Sequence, residues 1–517
     1  MNNHDLAAAW AYHDGTKHSF WSIRRNTHFI DWANKPLPFK IYPALEPILL
    51  PHEFPPLAMP ALEAISAIGI EVEGDAVPDL KDLAQALYYS AGITKIKKYQ
   101  DGEILFRAAS CTGALYEIEL YLVCGDLPDL EAGVYHFSPR DMSLRCLRIG
   151  DYRGVMAHAT GQEESVVSAP VTIICTGIYW RNSWKYRARA YRHFGWDNGT
   201  ILGNLLATAV ALDLPSRVVM GFVDTEVNRL LGLDINREVA FSLVSLGRVS
   251  RLPPAPPIEI EKLVLETEPL SPTEVDYPAM REMHAASSLV DEAEVRQWRA
   301  YSPIQKSSNL SGELIPLKTF SEDEFSRKEL GVVVLKRGSS RQFARGEAIG
   351  FGQFSTLLFH SMQGIPADFM DSLGAHLNEL YLIVHAVEGL QPGAYVLHRD
   401  IWALELLKPG EFRNEAGYLG LEQDLPADAC ATVFFIADLK SVFERFGNRG
   451  YRTAQLESGI IGGKMYLAAY AQGFGATGLT FYDDDVINFF SPHAEGKNAI
   501  FHMAVGKSAK HTSRGFD

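Results

Sequence analysis

Hydrophobic and polar residues repeat one series of periodic patterns twice along the chain. Each series begins with an amphipathic helical pattern, continues through alternating strand patterns, and ends with a long helical pattern and a last strand. The helical patterns span 80–91 and 199–212, then 352–362 and 459–472. The strand patterns span 119–124, 171–176 and 240–246, then 379–385, 432–437 and 500–505. Helices mixed with mostly antiparallel-looking strands predict an α+β fold in which a β-sheet is sandwiched by helices.

The residues themselves also repeat. The sequence Glu119-Leu120-Tyr121-Leu122-Val123 returns as Glu379-Leu380-Tyr381-Leu382-Ile383, 260 positions later. The same spacing pairs Gly199 with Gly459, and one deletion further along it becomes 259. A register held this long indicates a duplicated globular domain, because the units of a solenoid run only about 20–50 residues. Such a fused pair can form, within one chain, the interface that a homodimer forms between two.

A proline-rich junction separates the two copies. Pro253-Pro254-Ala255-Pro256-Pro257 follows the last strand pattern of the first copy, and the acidic stretch up to Pro278 is typical of an extended linker. We therefore expect a first half at 1–250, a linker at 251–278 and a second half at 279–517. The small residues in the long helical patterns leave two interpretations open, a seam between the halves or an ordinary buried core helix.

Composition narrows the class of protein without indicating a chemistry. The 517 residues are 47% hydrophobic, as in an ordinary globular protein, and their net charge of -15 argues against an overall nucleic-acid footprint. No apolar run approaches the roughly 18 residues of a membrane span, and the first residues lack the pattern of a signal peptide. The five cysteines have no paired spacing, which suits a reducing compartment, so a cytoplasmic protein is expected.

Two short motifs offer candidate chemistry. In Arg337-Gly338-Ser339-Ser340-Arg341, two guanidinium groups flank a hydroxyl at a spacing that can surround one phosphate, although a solvated basic loop is the alternative. Lys185-Tyr186 can form a proton-transfer pair if it is partly buried, and an exposed basic stretch is the alternative. The equivalent Arg445-Phe446 cannot exchange protons near neutral pH, so the halves differ where chemistry would lie.

Other familiar motifs are excluded. Residues 473–478 spell GxGxxG, but a helical pattern precedes them and a strand pattern follows, which is the reverse of a dinucleotide-binding motif. No histidine and cysteine spacing matches a known metal motif, so no metal site is predicted.

With these motifs the chain resembles the FMN-dependent nitroreductase superfamily, and more closely the tandem form of its SagB/ThcOx-type dehydrogenases. The resemblance covers both halves, roughly 62–250 and 325–510. It implies a duplicated nitroreductase-like fold with FMN as the cofactor. Arg337, Ser339 and Arg341 match the family's Arg-x-Ser-x-Arg, which implies that they hold the FMN phosphate.

The resemblance also implies which residues surround the flavin ring. The stretch 106–116 resembles the family's Pro-Ser-Ala-Gly loop, with Ser110 at the proline position and Cys111 at the serine position. Lys185 and Tyr186 match the pair that azoline-oxidising members use in catalysis. The other implied cofactor-binding residues are Gly113 in the first half and Ser372, Gly374, Gly478 and Leu479 in the second.

Family members that are dimers place each flavin between two subunits, so the asymmetry of the halves predicts a pseudo-dimer with one surviving FMN site. The second half would hold the phosphate, and the first would supply the 110–113 loop and the Lys185-Tyr186 pair. Whether fused chains pair again as a homodimer is left open.

Three functions remain open at this point. The first is dehydrogenation of a peptide heterocycle or a small molecule, and the second is NAD(P)H-driven reduction of nitro or quinone compounds. The third is a flavin-binding or partner-binding pseudoenzyme without turnover. A retained phosphate motif favours an enzyme, because it implies a retained cofactor.

Overall fold

The computed structural model contains two seven-stranded sheets, one in each half of the chain. It describes residues 2–26, 28–99, 102–257, 259–300, 310, 312–320, 326–370 and 376–509. The first sheet has the spatial order β1 (Pro47–Leu49), β6 (Ser143–Ile149), β5 (Gly133–Ser138), β4 (Ile118–Cys124), β7 (Val171–Ile178), β9 (Glu238–Leu246) and β8 (Ser216–Val219). The second has the order β10 (Glu313–Pro316), β15 (Ala403–Pro409), β14 (Gly393–His398), β12 (Asn378–Val384), β16 (Ala431–Ala437), β18 (Asn498–Gly506) and β17 (Gly475–Leu479).

The two sheets share one topology, and their strand pairs are antiparallel. Their registers match as well: Tyr121 lies opposite Ile174, and Tyr381 lies opposite Phe434. The duplicated α+β fold predicted from the sequence is therefore confirmed. Two small sheets accompany the large ones: β2 (Ile93–Tyr99) with β3 (Gly102–Arg107), and β11 (Ile349–Gly350) with β13 (Val387–Glu388).

Helices connect the strands in the same order in each half. The first half has α1 (Ala7–Gly15), α2 (Phe20–Arg24), α3 (Ala61–Ser66), α4 (Leu80–Ala91), α5 (Arg153–Ala159), α6 (Glu164–Val167), α7 (Tyr179–Tyr186), α8 (Ala190–Ala211) and α9 (Asp224–Leu231). The second has α10 (Pro278–Ala286), α11 (Glu292–Arg299), α12 (Leu330–Lys336), α13 (Phe351–Ser361), α14 (Arg413–Leu419), α15 (Asp424–Asp428), α16 (Leu439–Phe446), α17 (Arg449–Ala471) and α18 (Asp483–Phe490). Within the described ranges, no helix combines the length and the apolar character needed to cross a membrane.

The two long helices begin earlier than their sequence patterns predicted. Helix α8 starts nine residues before Gly199, and α17 starts ten residues before Gly459. The early turns are buried on all sides, so they carry charged residues without the alternation of apolar and polar faces that marks a surface helix. Their buried arginines explain why the pattern failed there.

Helices α8 and α17 cross at a row of glycines and form the seam between the halves. A β-carbon added at Gly199 would overlap the backbone of Gly459, and one added at Gly459 would lie 2.5 Å from the carbonyl oxygen of Trp196. Gly203 faces Gly463 a turn further along. Only glycine permits this backbone approach, so the seam interpretation is the correct one of the two.

Reciprocal ion pairs fix the halves beside this crossing. Asp224 of the first half accepts hydrogen bonds from Arg449 (2.6 Å) and Arg452 (2.8 Å) of the second. In the opposite direction, Asp483 of the second half accepts from Arg192 (2.6 Å) and Arg189 (3.0 Å) of the first. All these side chains are buried. The two halves therefore form a pseudo-dimer within one chain.

We expect Gly199→Ala to destabilise the whole chain by about 1–3 kcal/mol, because the added methyl group forces the two long helices apart. Urea unfolding measures the change. Gly15→Ala is the matched control, since a β-carbon at Gly15 has no neighbour within 4 Å. Equal unfolding midpoints for the two variants would contradict the close crossing.

We expect Asp483→Asn to cost about 3–5 kcal/mol at neutral pH, because it leaves two buried guanidinium groups without their carboxylate. The arginines hold the pKa of Asp483 below its usual range. Its contribution is therefore complete above the unfolded pKa of about 3.9 and is lost as the pH falls through the lower folded value. Acid unfolding should accordingly be steeper in the native chain than in Asp483→Asn.

The control for this variant is Asp484→Asn, which removes an exposed carboxylate paired with Lys17 at 3.0 Å. Exposed pairs contribute about 0–1 kcal/mol. The free energy of unfolding of both variants is measured with urea at several pH values. Similar losses in the two variants would refute the large contribution to stability assigned to Asp483.

Candidate functional site

The arginine motif of the second half lies against the first half. It follows α12 directly, and the guanidinium of Arg337 donates from Nε to the Ala108 carbonyl oxygen (2.8 Å) and from Nη2 to that of Arg107 (3.2 Å). Those two carbonyls immediately precede the 110–113 loop. The motif and the loop, which are far apart in sequence, are thus brought together.

Tyr466 of α17 connects three parts of the second half. Its hydroxyl lies 3.0 Å from Ser339 Oγ and accepts a hydrogen bond from the backbone N–H of Gly478 at 2.7 Å. The guanidinium of Arg337 lies 5.4 Å from the centre of its ring. Leu479, the last residue of β17, is half-buried beside this point. Sequence reasoning missed Tyr466 because a tyrosine inside a buried helix has no motif that distinguishes it from core.

The cations at this site have no acidic partners within the described part of the chain. Among the described residues, no carboxylate pairs with Arg337, Arg341 or Lys185. Burial lowers the pKa of Arg337. Burial also lowers the pKa of Lys185, and the positive charges of Arg341 and Lys35 lower it further. In a chain with a net charge of -15, grouped cations without counter-ions are the arrangement that an anionic ligand would complete.

The first-half loop is held by a buried carboxylate. Asp197 of α8 accepts from the backbone N–H of Thr112 (2.9 Å) and from its hydroxyl (2.9 Å), and the thiol of Cys111 lies 3.3 Å away. Thr200 donates to the carbonyl oxygen of Ser110 at 2.7 Å. Asp197 thereby fixes the conformation of the loop, a role that its sequence position within a helix did not indicate.

A second carboxylate, Glu117, lies in the same cluster. The thiol of Cys111 also lies 3.4 Å from Glu117 Oε2, and the other oxygen of this buried carboxyl has no hydrogen-bond partner. Burial and the charge of Glu117 raise the pKa of Asp197. Burial and the same two acids raise the pKa of Cys111, which keeps it a thiol.

Tyr186 reaches the loop at Gly113. A β-carbon at Gly113 would lie 2.9 Å from the Tyr186 hydroxyl, and the φ of Gly113 is +65°, in the left-handed region that favours glycine. Burial, followed by the charges of Asp197 and Glu117, raises the pKa of Tyr186. Lys185 Nζ lies 5.2 Å from the centre of the Tyr186 ring. The pair is half-buried rather than part of an exposed basic stretch.

Two predicted site residues, Ser372 and Gly374, lie outside the described residues. The others are Arg337, Ser339, Arg341, Gly478 and Leu479 from the second half, and Ser110, Cys111, Gly113, Lys185 and Tyr186 from the first. Contacts connect the two sets where Arg337 binds the carbonyls before the 110–113 loop and where the charge of Arg341 acts on Lys185.

Two groups of ligand-type side chains also lie close together in the described part of the chain. They are Cys111, Glu117 and Asp197, and His398, Glu405 and His493, with ligand atoms within 4.8 Å of one another in each group. His398 is hydrogen-bonded to Glu405 at 2.7 Å, and His493 to Tyr381 at 2.8 Å. Members of both groups already hydrogen-bond to protein partners, and we assign no metal to either.

Comparison with known proteins identifies the fold that carries this site. Residues 372–507 match the model of the nitroreductase family. A crystal structure from Anabaena variabilis, named as a candidate nitroreductase, superposes with a TM-score of 0.77 at 25% identity and covers 97% of this chain and 99% of its own. The protein is a tandem nitroreductase-like chain. That near-complete superposition means the match extends over both halves of the nitroreductase-like chain.

Two curated relatives are similar to part of the tandem nitroreductase-like chain. A candidate nitroreductase of Methanocaldococcus jannaschii is 25% identical over 169 residues, which are 33% of this chain and 80% of that protein. The microcin B17-processing protein McbC of Escherichia coli is 27% identical over 127 residues, 24% of this chain and 47% of that protein. The chain thus spans about half the length of McbC, a SagB-type relative, in agreement with the resemblance found in the sequence.

Proposed function

We propose that the chain is an FMN-dependent oxidoreductase with one cofactor site, built from both halves. The observation that carries the proposal is a group of cations at the junction of the halves that no described carboxylate pairs with: Arg337, Arg341 and Lys185. Arginine beside a hydroxyl is suited to a phosphate monoester, and the nitroreductase-like fold commonly binds flavin.

The donor set fits FMN in both of its parts. Arg337, Ser339 and Arg341 would hold the phosphate, and the 110–113 loop with Gly478 and Leu479 would lie along the ring. Arg337 is already held in place by the carbonyls of Arg107 and Ala108, so little side-chain entropy remains to be lost when an anion binds. Asp197 likewise holds the loop in advance of binding.

Once bound, FMN supplies two-electron redox chemistry, and the chain's own residues handle protons. Tyr186 remains protonated at neutral pH because its pKa is raised, so its hydroxyl can donate a proton. The lowered pKa of Lys185 increases the fraction of its amine that is deprotonated at a given pH, so Nζ could accept a proton from a carbon undergoing dehydrogenation. The substrate we propose is a peptide heterocycle or an amine-like small molecule.

The second candidate is NAD(P)H-driven reduction of nitro or quinone compounds, which the nitroreductase-family match favours. In that reaction the nicotinamide is the electron donor, and no proton has to be removed from a substrate carbon. The role of Lys185 therefore separates the two candidates.

We expect Arg337→Ala and Arg341→Ala each to weaken FMN binding about 10–100-fold, since each removes charge-assisted hydrogen bonds of about 1.5–3 kcal/mol. Fluorescence titration of FMN into the full chain measures this. Lys336→Ala, one residue before the motif and exposed, is the matched control and should bind like the native chain. Unchanged affinity in both arginine variants would remove the phosphate assignment.

We expect Lys185→Ala and Tyr186→Phe to slow dehydrogenation of a thiazoline or oxazoline peptide about 10²–10⁴-fold, the usual contribution of a positioned acid or base. The flavin content should stay unchanged, and reduction by NADPH should be nearly unaffected. Stopped-flow absorbance of the flavin gives both rates.

Arg445→Ala, at the position of the second half equivalent to Lys185, is the control and should have no effect on either rate. Loss of NADPH-driven reduction alone would favour the reductase. A bound flavin that no donor reduces would indicate a pseudoenzyme.

A further inference from the structure

The pseudo-two-fold axis defines a second position equivalent to the proposed flavin site. The axis passes through an antiparallel bridge between Pro60 and Glu329, where two hydrogen bonds are reciprocal. The Ala61 N–H donates to the carbonyl oxygen of Lys328 (2.9 Å), and the Leu330 N–H donates to that of Met59 (2.8 Å). Pro60 and Glu329 are therefore equivalent positions of the two halves. At equal distances along the chain from them, Ile68, Ile70 and Val72 are equivalent to Arg337, Ser339 and Arg341. The second position therefore has an apolar stretch where the first has its phosphate motif.

We name as the mirror position the region between Met220, Gly221, Trp298, Asp368 and Phe446. Gly221 lies just beyond the end of β8, at the position equivalent to Thr480, which directly follows the flavin-edge residues Gly478 and Leu479 at the end of β17. Phe446 is the last residue of α16, as Tyr186 is the last residue of α7. In the proposed site, Tyr186 and the end of β17 would lie beside the ring of the cofactor.

The indole of Trp298 fills the mirror position. It lies 3.0 Å from where a β-carbon at Gly221 would be, and its ring centre is 5.1 Å from that of Phe446. Its Nε1 donates to the carbonyl oxygen of Phe446 at 3.1 Å. The side chain is 2% exposed, so no space remains beside it for another planar ring.

Asp368 occupies the backbone donors at the same place. Its carboxylate accepts from the N–H groups of Met220 and Gly221, both at 2.8 Å. The segment that carries Asp368 pairs with β8 through a parallel bridge between Val218 and Ala367. The Val218 N–H donates to the carbonyl oxygen of Pro366 at 2.7 Å. In the proposed site, by contrast, the Gly478 N–H donates to a side-chain hydroxyl of the same half.

Arg299 ties these elements together. Its Nη2 donates to the carbonyl oxygens of Thr160 (2.8 Å) and Gly221 (3.3 Å), and its Nε lies 3.0 Å from Glu163 and 3.6 Å from Asp368. The insertion of Trp298 is thus held in place by the polar contacts of the adjacent Arg299.

The helix that carries Trp298 is longer than its counterpart in the first half. The Asp224 N–H donates to the carbonyl oxygen of Leu289, and the equivalent Asp483 N–H donates to that of His18. Leu289 and His18 are therefore equivalent, and so are the helices that follow them. The helix after Leu289 is α11 with eight residues, and the helix after His18 is α2 with five, ending at Arg24. The extra turn of α11 delivers Trp298 and Arg299.

Resting on the proposed function, we propose that Trp298 and Asp368 occupy the mirror position as internal substitutes for a flavin, so that one chain holds one FMN. The indole replaces the ring, the Asp368 carboxylate replaces its hydrogen-bond acceptors, and no phosphate motif remains. One half of the duplicated protein would then keep the fold while only the junction at Arg337 performs chemistry.

The flavin-to-protein ratio of the FMN-reconstituted full chain tests this. We expect a ratio near one for the native chain, and a ratio near zero for the double variant Arg337→Ala/Arg341→Ala. A native ratio near two, or a ratio near one in the double variant, would overturn the proposal while leaving FMN dependence intact. A native ratio of zero would instead refute the proposed function itself.

A second measurement addresses Trp298 directly. We expect Trp298→Ala to leave an aromatic-sized cavity that indole fills, raising the melting temperature of this variant by several degrees and leaving the native chain unchanged. Trp10→Ala, which removes a partly buried indole packed on Phe443 at 4.9 Å, is the control and should show no indole effect. If Trp298→Ala does not fold, Trp298→Phe with benzene as the probe replaces it. If the added ligand does not raise the melting temperature of a folded Trp298 variant, the proposal that the Trp298 indole stands in place of a flavin ring is overturned.

Discussion

The structure depends on the crossing of two glycine-lined helices that are each buried on every side. Because Gly199 and Gly459 permit backbone contact, the arginines two to three turns before each crossing reach the aspartate of the opposite half. Asp224 and Asp483 then hold these charges in reciprocal pairs away from water. Neither half could bury its own arginines without the other, so the duplicated chain is locked as one unit.

This crossing also sets the position of the candidate site. It brings α12 of the second half against the strand that leads into the 110–113 loop of the first, where Arg337 binds two backbone carbonyls. A homodimer would have to form two such junctions with one sequence. Fusion removes that constraint, because each half can change alone, and the halves differ at Tyr186 and Phe446 and at Arg337 and Ile68.

Much of this arrangement could be predicted from the sequence because repetition preserves the spacing of residues. One offset predicts that the elements follow one another along the chain in the same order in both halves. It also predicts the pairing of Gly199 with Gly459 and the difference between Lys185-Tyr186 and Arg445-Phe446. The starts of α8 and α17 could not be predicted, since a helix buried on all sides lacks an amphipathic period. Asp197, Tyr466 and Trp298 have no local motif, and their roles depend on contacts with residues distant in the chain.

The central claim is that one FMN lies between the halves, with its phosphate on the second and its ring on the first. A crystal structure of the full chain grown with FMN tests this most directly. The account predicts one flavin per chain, with its phosphate on Arg337 and Arg341 and its ring beside Gly113 and Tyr186, and Trp298 unmoved. Density for two flavins, or for one flavin held entirely by a single half, would contradict it.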